Sequence, residues 1–205
     1  MKRGAVFLLL VSVVLGLAAA AAVSILHNGL SARARPSALE AAIAGMMRKL
    51  AMPSSMSATK NPVQNSPAAL RAGMLHFADH CAICHGNDGS GATPMGRGLY
   101  PRPPDLRANA TQGRSDGEIF WIIENGVRLT GMPAFGGEGA HSNPADSWNL
   151  VLFIRHLPAL TAEERMEMEK YNPQGPDERL EEQEENDFLN GGSAEPSPEP
   201  QHHHH

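Results

Sequence analysis

Two cysteines are present in the chain, Cys81 and Cys84, and His85 follows the second in the run CAICH. Thiols three positions apart suit three kinds of chemistry. A redox pair of the thioredoxin type belongs in βαβ surroundings, and no strand-rich pattern flanks residues 81–85. A zinc centre asks for four ligands, and only Cys81, Cys84 and His85 are local. Covalent attachment of haem c uses all three. The thiols add to the two vinyl groups of the porphyrin, and the adjacent histidine lies under the iron as the proximal ligand. This reading accounts for every cysteine in the sequence.

A haem iron has a sixth position. His76, His80, His141 and His156 are candidates for it, but all four read better as surface or helix-face residues. Met132 stands in TGMPAF, between Gly131 and Pro133 and 47 residues after His85. A lone methionine is usually core filler. One between glycine and proline on a loop is well placed to project a thioether, and it is the preferred distal ligand. Met95, in TPMGRG, is the alternative, but its loop follows His85 so closely that it should pass on the proximal side.

Helical elements with clear punctuation must position these groups. Ser66 and Pro67 form an N-cap and first-turn pair for a helix to about His80, with Leu70, Met74 and Phe77 on one face. Gly73 inside it costs up to about 1 kcal/mol relative to alanine, which calls for close approach of another element. Ser115 and Glu118 make a capping box for a helix ended by Asn125-Gly126. Asn143-Pro144 opens another that Pro158 closes, with Trp148, Val151, Leu152 and Arg155 on one side. The run RPPDL is a rigid extended segment. GNDGSG at 86–91 reads as backbone turning tightly around a porphyrin rather than as a nucleotide loop.

Charge divides the chain. Net charge is −5, with 41% hydrophobic residues and only 5% aromatic. Residues 1–65 carry seven Lys/Arg against one Glu, residues 66–160 seven against eight Asp/Glu, and residues 161–205 three against thirteen. The middle is near neutral and foldable, and the end is a solvated acidic tail. Lys2 and Arg3 precede an uncharged run, Gly4–Leu26, that as a helix extends roughly 35 Å, enough to cross a bilayer. The run is longer than a usual signal-peptide core, which favours a retained anchor over cleavage near AAAAAVS. Lys2 and Arg3 favour a cytoplasmic N-terminus, against the opposing pull of Arg33 and Arg35. Ser37 and Glu40 cap an amphipathic helix carrying Leu39, Ile43, Met46, Met47 and Leu50. A proline- and serine-containing linker follows at 53–66. Thr161 and Glu164 open a further helix, DERLEEQEEND is a charged, solvated helix, and the chain from Gly191 has a disordered composition. The run His202–His205 reads in two ways, as a divalent-metal-binding tract or as the remnant of a purification tag.

Between about residues 66 and 160 the chain resembles the class I monohaem cytochromes c. The likeness rests on GMLHFADHCAICHGNDGSG, PPDL, SDGEIFWIIENGVRLTGMPAF and SWNLVLFIRHLP, in that order. It implies an all-α class I cytochrome c fold around one covalently bound haem c, preceded here by an N-terminal transmembrane helix. It implies His85 and Met132 as axial ligands and a carbonyl of Pro103 or Pro104 as the hydrogen-bond partner of the proximal imidazole. It also implies a crossing of first and last helices at Gly73, beside Phe77 and Trp148.

The expected organisation is an anchor or signal peptide at 1–32, an amphipathic helix and linker at 33–65, a cytochrome c domain at 66–160 and an acidic tail at 161–205. His/Met ligation closes the iron to substrate, so the expected function is electron transfer. The protein would be a carrier rather than an enzyme, alone or as a subunit of an oxidoreductase complex. It would relay single electrons between a periplasmic or membrane dehydrogenase and a terminal acceptor such as an oxidase. The alternative is a metal- or ligand-responsive haem protein in which Met132 leaves the iron. The expected location is the bacterial inner membrane, single-pass through residues 4–26, with the haem domain facing the periplasm. No feature points to nucleic acid.

Overall fold

The computed structural model describes residues 2–28, 31–137 and 143–189. The expectations for His141 and His202–His205 lie outside the described residues. In chain order the helices are α1 (Lys2–Asn28), α2 (Ala38–Ala51), α3 (Ser54–Ala58), α4 (Pro67–His80), α5 (Ala82–His85) and α6 (Pro94–Arg97). They continue with α7 (Asn109–Gln112), α8 (Asp116–Asn125), α9 (Pro144–His156), α10 (Ala162–Glu169) and α11 (Pro176–Leu189). Among the described residues there is no strand, so the fold is all-α.

Caps set the helix starts where the sequence places them. Ser37, Ser115 and Thr161 each complete a capping box with Glu40, Glu118 and Glu164. The Ser66 hydroxyl accepts from the Ala69 amide, and Pro67 and Pro144 occupy first-turn positions where a missing N–H costs nothing.

The core is built where α4 crosses α9. A side chain on Gly73 would strike the backbone of Asn149, 2.6 Å from its carbonyl carbon, and would crowd Phe153 Cβ at 3.1 Å. The glycine is therefore the point of closest approach. Aromatics pack on either side of it. Phe77 packs on Phe153, with centroids 5.2 Å apart, while Trp148 lies flat on Phe120 of α8 at 4.0 Å. Leu150, Phe153 and Ile154 are buried together with Trp148 and Val151. Helix α9 is thus enclosed on more than the one expected side, because α4 covers part of it and α8 another.

The packed unit extends past both ends of residues 66–160. The stretch expected as a linker contains α3, which docks on α8. The Thr59 carbonyl accepts from the Gly117 amide at 3.2 Å, and a Cβ on Gly117 would meet Thr59 Cβ at 2.9 Å. Asn61 then donates to the Trp148 carbonyl at 2.9 Å. At the other end Met168 of α10 is fully buried, flanked by the ion pairs Arg71–Glu167 and His156–Glu164. By contrast, the Gly4–Leu26 stretch of α1 has a mean hydropathy of 2.8 and none of it is buried. It is long and apolar enough to cross a membrane.

Candidate functional site

Cys81 is at once the C-cap of α4 and the N-cap of α5. Its amide donates to the Phe77 carbonyl and its carbonyl accepts from His85, each at 2.9 Å. One tight turn therefore carries Cys81, Cys84 and His85. Ala82 is buried beneath it, while Ile83 is exposed. Burial first, and Cys84 and Asp79 next, push the Cys81 thiol up to about 12. Burial also raises Cys84. Both cysteines are free thiols rather than a disulfide. Among the described residues, no three His, Cys, Asp or Glu side chains are arranged to hold a metal ion.

The loop after His85 doubles back at two left-handed glycines, Gly86 and Gly89, and a third, Gly91, follows. The Gly91 amide donates to the His85 carbonyl at 2.7 Å, and Leu106 donates to Gly89 at 2.8 Å. A Cβ on Gly91 would lie 2.6 Å from the Pro103 carbonyl oxygen. The GNDGSG and RPPDL segments are thus pressed together against the turn. Burial lowers the His85 imidazole, and the carbonyl of Pro104 opposes that shift. Of the two prolines the sequence leaves open, Pro104 is the one whose backbone acts on His85. Nδ1 of His85 is shut off from solvent and completes no hydrogen bond of good geometry.

Thr93 was not singled out by the sequence reading, yet it ties the next element down. Its hydroxyl donates to the carbonyls of Ile83 (2.9 Å) and Cys84 (3.1 Å) and accepts from the Gly96 amide at 2.8 Å. The signal for it was Thr-Pro, an N-cap followed by a first-turn proline. Helix α6 is held by this hydroxyl on the attachment turn, with Met95 half exposed.

Met132 arrives from another direction. Past the C-cap Gly126, the Val127 amide donates to the Met132 carbonyl at 3.1 Å, and the Met132 amide donates to the Thr130 hydroxyl at 3.1 Å. The chain then runs along the end of α8, with Phe135 donating to Ile123 (3.0 Å) and Gly136 to Glu124 (2.9 Å). Met132 is half-buried. Gly131 rests on Leu99, which a Cβ there would meet at 2.7 Å. Leu99 follows α6, so contacts run from Cys84 through Thr93 and α6 to the Met132 loop.

The histidines set aside by the sequence lie elsewhere. His156 is paired with Glu164 at 2.9 Å. His76 and His80 face each other across one turn of α4, beside a cavity of about 410 Å³ that Phe135 and Asp146 also line. Arg155 is a further residue the sequence underrated. Its guanidinium donates to Asp116 Oδ1 at 2.9 Å, to the Gln112 carbonyl at 2.7 Å and to the Arg114 carbonyl, clamping the α7–α8 corner to α9.

Residues 68–154 match the family model described as cytochrome c oxidase, cbb3-type, subunit III. No curated protein matches the chain. Among solved structures the chain is similar to part of the Kuenenia stuttgartiensis reducing HAO-like protein complex Kustc0457/Kustc0458, at 22% identity and a TM-score of 0.42. That match spans 47% of this chain and 46% of the other, so it takes in about half the length of each. The family match and the helical architecture agree with the motif at residues 81–85, and the domain at residues 68–154 belongs to the c-type cytochromes, the haem-carrying electron-transfer proteins.

Proposed function

We propose that residues 66–160 bind one haem c, with thioether bonds to Cys81 and Cys84 and with His85 and Met132 as axial ligands. The observation that carries this reading is the state of His85, the residue after the cysteine pair. Its imidazole is half-buried with Nδ1 shut off from solvent, and it is biased towards the neutral form, which is the form an iron ligand must take. The Pro104 carbonyl stands where it can fix the tautomer and leave the other ring nitrogen free. The cysteines fit as well. Cys81 and Cys84 lie on one tight turn with His85, as attachment of a haem to both thiols requires.

Haem c in this site supplies a one-electron ferric/ferrous couple. The chain holds His85 on a turn that cannot shift without breaking the α4–α5 junction, and it holds Met132 on a loop shaped by backbone bonds rather than by its own side chain. With both axial positions taken by protein there is no open place for a substrate, which supports outer-sphere electron transfer. The three backbone bonds tethering residues 127–136 favour a fixed ligand over the reading in which Met132 is displaced.

Helix α1 is then a single membrane anchor and Lys2 and Arg3 stay on the cytoplasmic side, which places the haem domain in the periplasm of a bacterial cell. The donor is a periplasmic or membrane dehydrogenase and the acceptor a terminal oxidase or comparable acceptor. The matched family, described by its place in an oxidase, supports this assignment.

Attachment is the decisive test. Protein denatured on a gel should keep a haem stain, which Cys81→Ser with Cys84→Ser should abolish. Haem removed from the native sequence by acid-acetone would overturn the proposal.

A further inference from the structure

Helix α2 packs the wrong way round for a soluble protein. Leu39, Ile43, Met46, Met47 and Leu50 fall on one side of it at helical spacing. They are the side left uncovered, being 71%, 45%, 57%, 63% and 78% exposed. No residue of α2 is buried. The other side turns to the domain. Arg48 is half-buried there, and it lies near enough to Arg114 for their like charges to oppose one another. At the flank Glu40 accepts a hydrogen bond from the Tyr100 hydroxyl. A helix that offers its polar side to its own protein and its apolar side outward needs an apolar medium outside.

The neighbouring chain indicates which medium. Residues 29–37 join α2 to α1 and span at most about 30 Å, so α2 cannot stray far from the end of the apolar helix. Even without Arg48, which faces the domain, Arg33, Arg35 and Lys49 stand against the single acid Glu40 over residues 29–51, a basic excess suited to anionic headgroups. Downstream, α3 is fastened to α8, and Tyr100 reaches back to α2. The domain is therefore fixed to α2 at two points.

We infer that α2 lies flat in the lipid–water interface of the bilayer that α1 crosses, with Leu39, Ile43, Met46, Met47 and Leu50 sunk into the acyl boundary. The inference rests on the reading of α1 as a retained anchor. Its consequence is orientation. Tyr100 is next to Leu99, on which Gly131 rests, so the Met132 loop keeps a set relation to the membrane surface rather than swinging on a linker.

The test uses the full-length holoprotein in nanodiscs of phosphatidylcholine, with and without phosphatidylglycerol. Thioether attachment consumes both native thiols, so the unmodified holoprotein should take up no label. Nitroxide is placed on Ile43→Cys, Leu50→Cys and, away from the apolar face, Ala44→Cys, and spectra are read on the ferric protein. Collision with oxygen relative to a water-soluble nickel chelate should be at least about threefold greater at 43 and 50 than at 44, and greater still with the anionic lipid. Three results would overturn the inference. Protein that enters the nanodisc while all three labels stay aqueous shows that α1 anchors but α2 does not lie on the membrane. Protein that fails to enter the nanodisc shows that the anchor reading has failed as well. Labels at 43 and 50 shielded from both reagents, equally in detergent and in lipid, show that a second copy or another protein covers the face.

Discussion

The two segments that carry the proposed haem ligands, one with Cys81, Cys84 and His85 and one with Met132, are built in opposite ways. The attachment side, residues 81–106, is made of short-range contacts. A helix C-cap becomes the next N-cap, three left-handed glycines fold the loop back, and the Thr93 hydroxyl fastens α6 to Ile83 and Cys84. The methionine side, residues 126–136, has no helix of its own. It borrows its shape from α8 through Phe135–Ile123 and Gly136–Glu124, and it contains Leu129, a left-handed non-glycine residue that is 91% exposed. Both sides place a glycine where the backbone is left-handed and crowded, Gly91 against Pro103 and Gly126 against Pro133. The methionine side also leaves a leucine in that conformation, where nothing crowds it. The attachment side, bound mostly within itself, should therefore be intolerant of change, and the methionine side should tolerate substitution at positions such as Leu129 that touch nothing.

The largest effect should come from Gly91→Ala. Its φ of 73° costs an L side chain about 1–2 kcal/mol, and the new Cβ would also meet the Pro103 carbonyl oxygen at 2.6 Å. Backbone on both sides leaves no flexible group to move away, so overpacking adds a further penalty of about 1–3 kcal/mol. Urea denaturation should show a loss of about 3 kcal/mol. A loss below about 1 kcal/mol would mean that the two segments separate easily and that the attachment side is not the rigid one.

Legibility in the sequence follows the same division. Local signals were enough for the starts of α2, α4, α8, α9 and α10, because a cap and a first-turn residue act within four positions. Gly73 was legible because a glycine inside a helix needs a reason, and Asn149 supplies it. The docking of α3 was not. Its contacts are the carbonyls of Met56 and Thr59 against Gly117, and backbone atoms leave no trace in a hydropathy pattern. Met168 was missed because one buried methionine among glutamates gives no periodic signal. The partner of Trp148 was not legible for a related reason. Helical spacing tells which side of α9 is apolar, but not that Phe120 on another helix lies parallel to it. At the site, the spacing of CAICH already puts Cys81, Cys84 and His85 on one turn, whereas the approach of Pro104 to His85 needed coordinates, since it depends on how the 86–91 loop folds back.

Next in size is exchange of the methionine. Met132→His should keep the haem attached and low-spin, lower its reduction potential and remove the Met–iron charge-transfer band. The loop should tolerate the change, since the bonds that shape it use the backbone of residue 132 and not its side chain. Met95→Leu should leave the spectrum as it was, because Met95 is half exposed on a helix tied to the attachment turn. Loss of the band in Met95→Leu, with its retention in Met132→His, would transfer the ligand role to Met95 and undo the contrast between the two sides.

The smallest effect carries the opposite sign. Leu129 has a φ of 63°, a conformation that costs a non-glycine residue about 1–2 kcal/mol. Its side chain is almost wholly in water, so little packing offsets that cost. Leu129→Gly removes the strain but gives the unfolded chain more freedom, which returns about half of the gain or more. The net result should be a stabilisation of about 0.5 kcal/mol, with haem content and spectrum unchanged. Equilibrium urea unfolding of the ferric and ferrous proteins would check it, compared in each state with the native sequence. A destabilisation beyond about 1 kcal/mol would show that the leucine makes contacts that hold the Met132 loop in place. The methionine side would then be as firmly built as the attachment side, and its adjustability would have to be sought in Met132 alone.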